Sequence, residues 1–132
     1  MDFLYLIIGL LIGITIHEFS HAYVADRLGD PTPRYQGRLT LNPVAHIDPV
    51  GTLMMLLFHF GWGKPVIVNN QYFRSPMRDM ALVSLAGPIS NFVVAFVMVL
   101  LLRGFGDFLP DWIFSLLNYN RIEKLFKYFI DF

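Results

Sequence analysis

The sequence predicts an α-helical polytopic membrane protein. It should have at least two transmembrane helices, a short re-entrant or partial helix, small β-hairpin elements between them and a C-terminal amphipathic helix. Three observations predict this. Of 132 residues, 55 % are apolar and only 15 % charged, where an ordinary soluble domain carries about 25 % charged. Two stretches, 3–26 and 80–103, are long and apolar enough to cross a hydrocarbon core of about 30 Å at about 1.5 Å per residue. Between them, proline and glycine interrupt every apolar run before it reaches that length.

One domain of 1–132 suits this length. Ten basic and ten acidic residues balance, so no basic field offers itself to nucleic acid. Cysteine is absent, which excludes disulfides, thiolate chemistry and cysteine-held metals.

The first span ends on the motif around which the chain is organised, His17-Glu18-Phe19-Ser20-His21. In a helix, positions i and i+4 share a face, so both imidazoles can reach one metal ion while Glu18 stays off it as general base. His17 and His21 are therefore candidate Zn2+ ligands and Glu18 the candidate catalytic residue. Two histidines and a glutamate at a helix end could also be satisfied polar groups facing headgroups. The apolar run before them argues for function, because ionisable groups in a membrane-grade segment are costly. Met1-Asp2 carries no basic segment and no small-residue cleavage site follows, so the span reads as a retained helix and not a signal peptide. Gly9 and Gly13 have the spacing that lets helices approach closely, and a homo-oligomer is left open.

Asp26-Arg27 and Gly29-Asp30-Pro31 stop the first helix and begin the region 27–79. Tyr35 to Leu41 alternates enough for a short strand or hairpin. His46 and Asp48 lie two apart and would share one side of an extended segment. They are candidates for a third ligand or for a group that holds a ligand from behind, and a turn-stabilising Asp before Pro49 is the plainer alternative. Val50 to Gly61 is an apolar run too short to span, which suits a re-entrant helix. Val66-Ile67-Val68 reads as a second strand whose edge could take an extended substrate.

Within 80–103, Ala86-Gly87-Pro88-Ile89-Ser90-Asn91 interrupts the apolar run. Gly-Pro should kink the helix and free a carbonyl. Asn91 is expensive to place against lipid and should face the site or another helix; it is a candidate oxyanion or substrate contact. Over 111–132, Ile122, Leu125, Phe126, Phe129 and Ile130 form one apolar face. Six Lys/Arg lie in 26–79 and four from Arg103 onward. The positive-inside rule then places the motif end of a multi-pass protein of the cell membrane toward the cytoplasm.

Taken in order, His17–His21, Leu41-Asn42-Pro43, His46-Ile47-Asp48-Pro49, Gly51-Thr52, Gly61-Trp62, Lys64-Pro65-Val66 and Ala86-Gly87-Pro88 with Asn91 resemble the site-two protease family of intramembrane zinc metalloproteases. The similarity covers roughly 4–102 and is nearest the short prokaryotic branch. It implies His17 and His21 as zinc ligands, Glu18 as general base and transmembrane proteins as substrates, cleaved often in regulated proteolysis. The family's third ligand is an Asp in a later helix, in a Leu-Asp-Gly pattern, and no Asp-Gly occurs here. The expectation is a chain that lacks that helix, with His46, Asp48 or His59 as substitutes if a site forms without it. The alternative is a catalytically incomplete core or pseudoprotease acting as a membrane scaffold.

Overall fold

The structure is a computed structural model that describes residues 2–105. Helix α1 spans Asp2–Arg27, one residue longer at each end than the sequence predicts. Its hydroxyls cost little, because Thr15 Oγ1 and Ser20 Oγ donate to the carbonyls of Leu11 and Ile16, at 2.6 and 2.7 Å.

A polar junction follows α1. Asp30 is fully buried; its carboxylate accepts from Thr32 N at 2.9 Å and Asn69 N at 2.7 Å, tying the turn to a segment 39 residues away. Thr32–Tyr35 forms a single helical turn, α2, with proline in its first turn. Arg34 makes two bonds back to Asp26, at 3.0 and 2.7 Å. The hydrogen bond and then the charge of Asp26 hold the Arg34 guanidinium above its ordinary range.

The predicted strands are absent. Tyr35 ends α2, and Gly37, at φ +68°, turns the chain where the first strand was expected. Val66–Val68 is extended but unladdered. The reason is where its donors go: Val66 N bonds Glu18, Ile67 N bonds Gln36 and Asn69 N bonds Asp30. Side chains take the donors that a second strand would have used. The one ladder-like contact among the described residues is an isolated antiparallel bridge, Ile47 to Gly63, with Lys64 N on His46 O at 2.8 Å.

A 3₁₀ turn at Pro43–His46 leads into α3, Pro49–Phe58. Ten residues reach about 15 Å, half of a hydrocarbon core, so this is the short apolar helix that the sequence predicts. It ends at His59, in the left-handed conformation at φ 59°. The chain then folds back on it so closely that a Cβ on Gly51 would lie 2.1 Å from the Trp62 carbonyl oxygen.

Helix α4 spans Pro76–Phe105 and begins four residues before the predicted boundary. Pro76 suits the first turn, and Asp79 reaches back to accept from Ser75 N at 3.1 Å. The helix continues through Pro88. It packs along α1, where Ala22, Ala25 and Val83 are buried; two alanines on α1 permit the close approach. Ala25, Val83 and Phe73 form one cluster, with Val24, Leu28, Val68 and Met80 packed against it.

Ile7–Arg27 and Pro76–Leu101 are long and apolar enough to cross a membrane. Both carry large exposed apolar side chains, including Ile8 and Ile12 on α1 and Phe92, Phe96 and Leu100 on α4. The amphipathic helix expected over 111–132 lies outside the described residues.

Candidate metal site

Helix α1 sets His17 and His21 one turn apart on the side facing α4. Their rings meet edge to face, centroids 4.7 Å apart. A Cβ built on Gly87 of α4 would lie 2.4 Å from His21 Nε2 and 2.6 Å from His17 Nε2. Both ring nitrogens therefore converge on one small space, and it stays open because residue 87 has no side chain. Zinc binds imidazole nitrogen at about 2.0–2.1 Å, so the two donors and the cradle fit a zinc ion.

What lies behind each ring decides which nitrogen carries the lone pair. His21 Nδ1 is 2.6 Å from the Val83 carbonyl oxygen. A carbonyl only accepts, so Nδ1 carries the proton and Nε2 is left as donor to a metal. His17 Nδ1 lies 3.4 Å from the Asn91 side-chain nitrogen, and Asn91 Oδ1 is buried with no hydrogen-bond partner. Amide oxygen and nitrogen are isosteric. Exchanging them sets Oδ1 against His17 Nδ1–H, which frees His17 Nε2 in the same way, and moves the amide nitrogen to the position without a partner. Asn91 thus stands behind a histidine.

Glu18 points elsewhere: its Oε2 accepts from Val66 N at 3.0 Å. That bond fastens the extended segment after Gly63 beside the motif. Arg38, 4 % exposed, holds this segment by donating to the carbonyls of Ala45 and Lys64.

Asp48 and His46 have partners of their own, and the Nδ1 of His46 is buried without one. Asp48 Oδ1 accepts from Gly51 N at 2.7 Å and caps α3. His46 is fully buried, with Nε2 2.8 Å from the Thr40 carbonyl. Among the described residues, no three His, Cys, Asp or Glu side chains are grouped to hold a metal. Gly87 and Val83 were not singled out for the metal by sequence reasoning. Gly87 stood only in a kink motif, and the available signal was its spacing of four residues from Asn91.

No protein-family model matches the chain, and no solved structure does. The chain is 47 % identical over 105 residues to the Bacillus subtilis protein named "Putative zinc metalloprotease YwhC", covering 77 % of this chain and 48 % of that protein. It is 35 % identical over 111 residues to "Putative zinc metalloprotease Rip2" of Mycolicibacterium smegmatis, covering 80 % and 42 %. Over 103 residues it is 35 % identical to the protein of the same name in Mycobacterium tuberculosis, covering 74 % and 39 %. The chain thus spans less than half the length of these curated relatives.

Proposed function

We propose that this chain is the core of an intramembrane zinc metalloprotease of the site-two type, which hydrolyses peptide bonds in membrane-spanning segments of other proteins. The observation that carries the reading is the convergence of two imidazole nitrogens on the space beside Gly87, on a helix apolar enough to cross a membrane. The relatives' names point the same way.

His17 and His21 would hold the metal through Nε2. Zinc, when bound, supplies Lewis acidity toward a water and toward the scissile carbonyl. Glu18 accepts the proton of the attacking water and passes it to the leaving amine nitrogen. The Val66 amide holds one oxygen of that carboxylate, leaving the other for the proton. Asn91 and the Val83 carbonyl keep the two rings in the tautomer that binds. A catalytic zinc usually has three protein ligands, and among the described residues no third His, Cys, Asp or Glu is grouped with this pair. The substrate must unwind locally, because a helical peptide bond is hydrogen-bonded and shielded. In this reading the segment after Gly63, fastened beside the motif by the Glu18–Val66 bond, receives the opened strand. The protein is multi-pass, and the motif end faces the cytoplasm.

Two measurements test this. Zinc content of the purified chain in detergent should approach one equivalent and be lost in the His17→Ala/His21→Ala variant. Cleavage of a membrane-anchored reporter should fall by at least about 100-fold in Glu18→Gln; undiminished cleavage would remove Glu18 as the base. A second reading, a non-catalytic scaffold that binds membrane helices, is favoured by the missing third donor among the described residues. Reporter binding without cleavage in wild type would establish it.

A further inference from the structure

The ends of the two long helices enclose a second feature, which the protease reading leaves unused. Where α1 ends and α4 begins lies a cavity of about 640 Å³. Arg27, Arg74 and Arg78 line it, together with Tyr72, Ser75 and Asp79. Arg27 is the last residue of α1 and Arg78 the third of α4, so the cavity sits at one end of both candidate spans.

Three arginines to one aspartate leave the lining net positive. Like charges gathered in a concavity raise the local concentration of anions, and guanidinium matches the geometry of phosphate. Asp79 is 3 % exposed, its Oδ1 paired with Arg78 Nε at 3.4 Å and its other oxygen accepting from Ser75 N at 3.1 Å. One turn or so further into the spans, Tyr23 and Leu82 are exposed, an aromatic and an aliphatic surface at the depth where acyl chains begin.

We infer that this cavity binds the headgroup of a phospholipid with net negative charge, of the phosphatidylglycerol kind, with its phosphodiester among the three arginines. A zwitterionic choline headgroup does not match the net positive field. The inference rests on α1 and α4 spanning a membrane as proposed above, and it is independent of the metal site.

The test uses the whole chain reconstituted in vesicles of equal phosphatidylcholine and phosphatidylglycerol, with lipid retained after gentle extraction counted by mass spectrometry. Wild type should retain phosphatidylglycerol preferentially. Arg74→Ala/Arg78→Ala should lose that preference by about five-fold per guanidinium, whereas Arg74→Lys/Arg78→Lys should keep part of it. These side chains are exposed, so helix content by circular dichroism should not change. Equal retention of the two lipids by wild type overturns the inference. So does displacement of short-chain phosphatidylglycerol by inorganic phosphate at equal concentration, which would make this a free-phosphate site. Failure of wild type to enter vesicles at all overturns the membrane reading, and this inference with it.

Discussion

At residue scale, Gly87 is the position most exposed to a decisive substitution. Gly87→Ala places a methyl where both Nε2 atoms point, closer than any real contact allows. It should lower zinc affinity by more than about ten-fold. The rings must shift to admit the methyl, at about 1–3 kcal/mol, offset in part by alanine's better helix propensity of about 1 kcal/mol, so the apo chain should lose little stability. Zinc titration beside a melting curve checks this, and unchanged zinc affinity would mean that the site is not where the histidines converge. Asn91→Ala should weaken zinc binding by about 10–100-fold, the usual effect of removing a group behind a metal-bound histidine. Asn91→Asp keeps an acceptor for His17 Nδ1–H and should restore affinity. If alanine and aspartate behave alike, Asn91 only fills space. The motif itself was legible because its geometry is local: i and i+4 share a face in any helix. Gly87 was not, because its partners lie 66 and 70 positions back along the chain.

At element scale, α3 and the extended segment show how short pieces are held. Asp48 spends its carboxylate on the first turn of α3. Asp48→Ala should cost about 1 kcal/mol of stability, Asp48→Asn much less, and neither should change zinc affinity. A fall in zinc affinity equal to that of His17→Ala would make Asp48 a ligand after all. The start and length of α3 could be read from Asp-Pro and the apolar run that follows. The strands could not be read correctly. Alternation in Tyr35–Leu41 and the β-branched Val66–Val68 describe segments able to pair, and pairing needs an edge. Here Glu18, Gln36 and Asp30 take the backbone donors first, and those acceptors come from three separate places in the chain.

At the scale of the whole molecule, the question is which solvent the exposed apolar surface meets. Ile89 is central in the second candidate span and 54 % exposed. If that face meets lipid, Ile89→Arg should cost about 2.5–3.5 kcal/mol of insertion, and the carbonate-resistant membrane fraction should drop accordingly. An unchanged fraction would place that face against protein or water. Composition made this scale legible: low charge and two long apolar runs need no tertiary information. The packing of α1 on α4 was legible only in part, since small residues permit close approach without naming the partner face.

The sequence by itself determined the two long helices, the short one between them and the shared helix face of His17 and His21, because each depends on spacing along the chain itself. The tertiary structure alone decided what stands behind each ring, that Gly87 leaves open the space both Nε2 atoms face, and that Glu18 is fastened to Val66. It also turned the expected strands into a segment hung from side chains. Those outcomes depend on contacts between α1, α4 and the intervening region, and such contacts follow from how whole faces fit together, which local pattern does not encode.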